Sequence, residues 1–219
     1  MIGRTASTVA ERREVTIPAE GATLPGDLSL PDVATGAVVF AHGSGSSRLS
    51  PRNVEVADIL QRAGLVTLLF DLLTEKEGLD RANVFDVELL ARRLDLATEW
   101  LQAQPETRRL PIGYFGASTG AAAALWAAAG SGPEVGAVVS RGGRPDLAAP
   151  RLPLVKVPTL LIVGGADEVV LELNRGAALD LRSCEHELTV VPGATHLFEE
   201  PGALELVAEL ATRWFVRHL

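Results

Sequence analysis

Ser118 lies in Gly116-Ala117-Ser118-Thr119-Gly120, a G-x-S-x-G pattern whose meaning depends on its sitting at a strand-to-helix turn. The apolar run 111–115 precedes it and the alanine-rich run 121–129 follows it, so the sequence supplies that setting. Such a turn lifts the serine hydroxyl above the sheet, at the N-terminus of a helix whose dipole favours developing negative charge. A serine hydroxyl is a weak nucleophile near neutral pH. It needs a base to take its proton and a third group to orient that base. The chemistry to look for is attack on an acyl carbonyl through a covalent intermediate.

The base is expected to be His196. It falls in Gly193-Ala194-Thr195-His196, just past the last strand-like run, on the edge where open α/β sheets bind ligands. His42 belongs to a glycine-rich loop and is expected to brace it, while His186 and His218 read as solvated or packed. The acid should fall between serine and histidine in the chain. Asp167, in Gly164-Gly165-Ala166-Asp167, follows the run 159–163 and fits; Asp146 is the weaker rival, and Glu168 is adjacent, but side chains one residue apart rarely point the same way. The oxyanion needs two backbone donors. One is Thr119 N–H, directly after the nucleophile. The other should come from His42-Gly43-Ser44-Gly45-Ser46-Ser47, with Ser44 favoured and Gly45 as the alternative.

These residues need a scaffold that brings four strand ends together. Short runs at 14–17, 27–30, 37–41, 65–70, 111–115, 136–140, 159–163 and 187–191 read as strands. Several are apolar at every position, as strands covered on both faces should be. Between them lie helical patterns at 51–63 and 85–104, the latter with Leu90, Leu94, Ala97 and Leu101 on one stripe, and a C-terminal helix carrying Leu206, Leu210 and Trp214. The alternation predicts an α/β domain with a mostly parallel sheet of about seven or eight strands. The opening strands are expected to turn near Gly21 and Gly26. Residues 72–84 read as a long polar connection without a helical cap, which predicts a shallow, open site. Leu197 and Phe198 are its nearest apolar residues.

A chain of 219 residues with 47% hydrophobic residues suits a single domain, 1–219. Its formal net charge of −8 argues against nucleic acid or an anionic membrane as partner. No run is long and apolar enough for a membrane span, and the N-terminus lacks a signal-peptide core, so a cytoplasmic protein is expected. Cys184 is the only cysteine, and no His/Cys/Asp/Glu cluster has metal-ligand spacing. Against the negative total, arginines gather around the expected rim. Arg48, Asn53, Arg81 and Arg141 are candidate substrate-binding residues, with Arg52 and Arg144 close by in sequence. The bland alternative is pairing with Asp71, Asp80, Asp86 or Asp146.

Phe40-Ala41-His42-Gly43-Ser44-Gly45-Ser46-Ser47-Arg48, the elbow 116–120, Gly164-Gly165-Ala166-Asp167 and Gly193-Ala194-Thr195-His196 together resemble the α/β-hydrolase superfamily. Within it the chain is similar to the short, capless dienelactone hydrolase family, over nearly its whole length. The resemblance implies an α/β-hydrolase fold, a Ser118–His196–Asp167 triad and no cofactor. It departs from true dienelactone hydrolases, which carry a cysteine nucleophile where this chain has Ser118, and so favours ordinary serine esterase chemistry on a small soluble ester, thioester or lactone. Acyl transfer to an alcohol, and a non-catalytic binding module on the same fold, are the competing readings. A monomer or homodimer is expected.

Overall fold

The structure is a computed structural model and describes residues 9–219. An antiparallel hairpin opens it: β1 (Val9–Ala19) and β2 (Ala22–Pro31) join through a turn at Gly21, whose φ is +70°. Both strands run further than the sequence pattern suggests. Gly26 is not at the turn but inside β2, where a Cβ would meet Val15 and Phe70 side chains at 3.1 and 3.2 Å. β3 (Gly36–Ala41), α1 (Pro51–Arg62) and β4 (Leu65–Phe70) follow. Then come two one-turn helices, α2 (Glu75–Gly78) and α3 (Arg81–Val84), and the long α4 (Val87–Gln102). β5 (Ile112–Ala117), α5 (Thr119–Ala128) and β6 (Ala137–Arg141) lead to a 3₁₀ segment, Pro145–Leu154. Pro150 and Pro153 inside that segment keep it from becoming an α-helix. β7 (Thr159–Gly164), α6 (Glu168–Asp180), β8 (His186–Val191) and α7 (Ala203–His218) complete the chain.

The eight strands form one sheet in the order β1-β2-β4-β3-β5-β6-β7-β8. β2 runs antiparallel to β4, and every pair from β4 through β8 is parallel. β3, β4, β5 and β7 are buried at every position. Alternate residues of these strands feed two cores, one on each face. Val38, Phe40, Phe115 and Ile162 pack under α1 and α7, with Val207, Trp214 and Phe215. Val39, Leu68 and Tyr114 pack under α4 and α5, with Leu90, Leu94, Ala97 and Leu101. α5 is apolar all round and nearly all buried, and its alanines let it lie close to the sheet.

Where α4 crosses β5, a polar cluster interrupts the core. Tyr114 Oη lies 3.0 Å from Thr98 Oγ1 and 3.4 Å from Asp95 Oδ1. Burial raises the Asp95 carboxyl from 3.8 to about 6, the Tyr114 hydrogen bond opposes the shift, and Glu99 adds to it. A carboxyl raised in the folded state ionises more readily unfolded. Stability is therefore full below the ordinary value and is lost as pH rises through about 6. Asp95→Asn is expected to raise Tm by a few degrees at about pH 8, less than full burial would give because the group is half-exposed. The gain should vanish near pH 4. Thermal melts at both pH values check this, and an equal gain at both would overturn it.

Candidate active site

The elbow's geometry follows from its two glycines. Cβ atoms on Gly116 and Gly120 would run into the Ala121 backbone and the Ala41 carbonyl oxygen respectively. The glycines thus let β5, α5 and β3 close together around Ser118. That serine takes φ 52° and ψ −118°, a conformation rare for an L-residue. Its N–H donates to Arg141 O at 3.1 Å, and its carbonyl accepts from Ala121 N and Arg144 N, each at 3.1 Å. Thr119 is the first residue of α5, so its N–H has no partner within the helix.

The loop after β3 lies against this elbow: a Cβ on Gly43 would sit 3.1 Å from Ser118 Cβ. Ser46 N donates to Gly43 O at 3.2 Å, and Gly45 has φ +68°. These are marks of a turn that requires glycine at its third position. Ser44, at its second, shares a cavity wall with Thr119. His42 ties the loop down. Its Nε2 accepts from Leu72 N at 3.1 Å and its Nδ1 lies 3.0 Å from Gly43 O, so Nδ1 carries the proton. Burial pushes the His42 pKa down, against smaller upward pulls from Gly43 and Asp71, and keeps the ring neutral.

His196 Nδ1 lies 2.6 Å from Asp167 Oδ2. Asp167 occupies the N-cap position of α6, yet its side chain does not cap the helix. An aspartate there would ordinarily accept from the first turn's N–H groups; this one is turned to the histidine instead. Asp146 is occupied elsewhere, with both oxygens held by Arg144 at 2.8 and 2.7 Å. The His196 ring packs over Gly142, where a Cβ would lie 3.5 Å from its Nδ1 and Cε1. Gly142 directly follows Arg141, whose carbonyl holds Ser118. The His196–Asp167 pair therefore lies beside the Arg141-Gly142 segment that holds the Ser118 backbone, at the ends of β5, β6 and β7.

The rim residues divide. Arg48 bridges Asp27 at 3.1 Å and Asp71 at 2.8 Å, so its charge is matched within the protein rather than free for a substrate. Arg81 stacks on the Phe85 ring at 5.6 Å and does not line the cavity. Asn53 and Arg141 are buried and adjacent, with Arg141 Nη2 and Asn53 Oδ1 3.5 Å apart.

A cavity of about 310 Å³ opens beside Thr119 and Ser44. Its far wall is built from Leu72, Leu73, Val84 and Leu90, with Asp71 and Glu75 also lining it. Residues 72–84 are therefore not a featureless connection, and the site is deeper on this side than an uncapped loop implies. Thr74 and Glu77 form a reciprocal capping box at the start of α2, a signature readable as Thr74-x-x-Glu77. Glu77 also takes Arg93 Nη2 at 2.8 Å, and its carbonyl accepts from Asn83 Nδ2 at 3.1 Å. Arg93, buried in α4, gave no sign of this role in sequence. Leu197 is exposed at the rim, while Phe198 is buried under it. Among the described residues, no group of three or more His, Cys, Asp or Glu side chains could hold a metal, and no helix is long and apolar enough to cross a membrane.

A crystal structure of dienelactone hydrolase from Anabaena variabilis is 54% identical, covers 95% of this chain and 98% of its own, and superposes with a TM-score of 0.91. The esterase domain of a Rhodothermus marinus protein, 20% identical with a TM-score of 0.76 over 95% of this chain and 99% of its own, shares the fold. A Mycobacterium tuberculosis protein named "Putative phosphoribosyl transferase" is 62% identical over 94% of this chain. The chain spans 46% of that relative's length. Residues 26–217 match the dienelactone hydrolase family, and with its eight-stranded α/β-hydrolase sheet the chain belongs to that family.

Proposed function

We propose that the chain is a serine hydrolase that cleaves a carboxylic ester, thioester or lactone of a small substrate. The observation that carries this reading is Asp167, which leaves its helix uncapped to bind His196 at 2.6 Å beside a serine held at φ 52°. Asp167 fixes the imidazole with its proton on Nδ1 and leaves Nε2 as the base. Ser118 Oγ attacks the carbonyl carbon as its proton passes to His196 Nε2. The oxyanion rests on the N–H groups of Thr119 and Ser44. Collapse breaks the bond to the leaving group, which departs with the proton from His196. Water then repeats the sequence on the acyl-enzyme, giving its proton to His196 and releasing the acid and free Ser118. The leucine-lined cavity next to Thr119 takes a short apolar portion of the substrate.

Transferase activity, named for the mycobacterial relatives, is read here as belonging to the part of those proteins that this chain does not span.

p-Nitrophenyl acetate, butyrate and octanoate test the proposal. Hydrolysis of the two short esters, with octanoate slower, is expected from a cavity of this size. Intact mass during turnover should show one acyl group, mapped to Ser118. Absence of both hydrolysis and fluorophosphonate labelling at Ser118 would sink the reading. Ester product formed with added methanol would point to acyl transfer instead.

A further inference from the structure

Asn174 sits in the middle of α6 and is fully buried. Asparagine is a poor choice there, because it weakens a helix interior and carries polar atoms into the core. Its amide nitrogen donates to two carbonyl oxygens, Val170 O at 2.8 Å one turn back and Gly143 O at 3.0 Å. Only the NH2 end can meet two carbonyls, so the amide has one orientation. Its Oδ1 is then left buried with no partner. A leucine of similar size would avoid that cost and suit the helix better. Val170 lies within the helix itself, so the bond to Gly143 is the one that ties α6 to another part of the chain.

Gly143 belongs to the segment that frames the serine. Arg141 O accepts from Ser118 N, and Arg144 N donates to Ser118 O, each at 3.1 Å. Between these two bonds stand Gly142 and Gly143, a pliable pair. Gly142 has φ +52° beneath the His196 ring, and a Cβ on Gly143 would overlap Ser140 Oγ. Gly142 N is fixed to Ile162 O at 2.8 Å, whereas no backbone N–H meets Gly143 O among the described residues. Asn174 supplies that donor. The other end of the tie matters equally. α6 begins at its N-cap Asp167, about two turns before Asn174. The Asp167 loop is joined in turn to the His196 loop by Ala166 N, which donates to Ala194 O at 2.9 Å. Asp167, His196, the Gly142-Gly143 pair and Asn174 thus form a closed ring of contacts, with α6 as its stiff side.

We propose that Asn174 is a positioning residue. Through Gly143 it fixes the Gly142 backbone under the His196 ring, and thereby the approach of His196 Nε2 to Ser118 Oγ. It touches neither the substrate nor the reacting atoms, and it does not line the leucine-walled cavity. Loss of the tie lets two glycines relax. The imidazole is then aligned with the hydroxyl less of the time, which slows proton transfer and leaves substrate binding as it was. This rests on the ester-hydrolase reading, and the experiment separates the two.

Asn174→Leu is the test. A residue kept only for stability would lower Tm when replaced and leave kcat per active site unchanged. A positioning residue lowers kcat while Tm holds or rises, because the orphaned Oδ1 is removed with it. With p-nitrophenyl butyrate, kcat is expected to fall about tenfold or more, with KM within about twofold of wild type and Tm no lower. Acylation and deacylation both pass a proton through His196, so kcat falls whichever is slower. The end point of fluorophosphonate labelling at Ser118 counts active sites, so misfolded protein is not scored as slow protein. Should leucine overpack α6, Asn174→Ala, which only removes atoms, carries the same kcat and KM comparison per labelled site. An unchanged kcat per labelled site, or a rise in KM that accounts for the whole loss of kcat/KM, overturns the inference. Labelled, active wild type beside an equally fast variant removes Asn174 alone. Wild type that neither labels nor hydrolyses the ester removes the hydrolase reading and this inference with it.

Discussion

Ser118→Ala is expected to lower kcat/KM for p-nitrophenyl butyrate by about a thousandfold or more, with the fold intact. Alanine keeps the Cβ that packs near Gly43 and leaves untouched the three backbone hydrogen bonds that hold the elbow. The loss is therefore of the hydroxyl alone. Without it, His196 has no proton to accept from the protein, and only the oxyanion donors and substrate binding remain to assist attack by water. Matched far-ultraviolet spectra and Tm establish that the variant folds, and initial rates measure the loss. A fall of less than about tenfold would place the nucleophile elsewhere.

Gly120→Ala should have the largest effect on stability. Its Cβ would overlap the carbonyl oxygens of Ala41 and His42. Those atoms belong to the end of β3 and the start of the oxyanion loop, and neither can swing aside as a side chain could. α5 would have to lift from the sheet, at a cost of about 3 kcal/mol or more. Activity should fall further than stability, because the displaced loop carries Ser44. Gly176→Ala is the matched control. It lies within α6 with open space around it, so alanine should hold or slightly raise Tm. Chemical denaturation of the three proteins decides the matter. Equal stabilities for the two variants would mean that contact between α5 and β3 is looser than the geometry requires.

The placing of the proposed triad residues was legible in sequence because each follows the carboxyl end of a strand-like run. Ser118 follows 111–115, Asp167 follows 159–163, and His196 follows 187–191; all three runs are strands of the sheet. Less legible was whatever depends on distant pairing. Nothing in sequence joins Arg48 to Asp27 on β2, or Arg93 to Glu77, since those contacts exist only once strands and helices have met. The helices α2 and α3 are too short to show an amphipathic period; only caps could announce them, Thr74 with Glu77 and Asp80 before Arg81. The 3₁₀ segment between β6 and β7 hid behind its prolines. Arg141 was visible as a rim candidate, but that its guanidinium is buried without a carboxylate could be known only from the packing of α1 and Phe198 around it.

Where the backbone of this chain needs positive φ, it mostly uses glycine: Gly21, Gly45, Gly64, Gly142, Gly193 and Gly202. Ser118 and Phe198 are the exceptions among the described residues, at φ 52° and 56°. An L-residue held there costs about 1–3 kcal/mol that glycine would not. A sequence optimised for folding alone would put glycine at both places, and at position 118 it would lose the proposed nucleophile. The molecule's energetic frustration is thus local: most of the chain agrees with its fold, and the disagreement is concentrated on the elbow and beside the histidine.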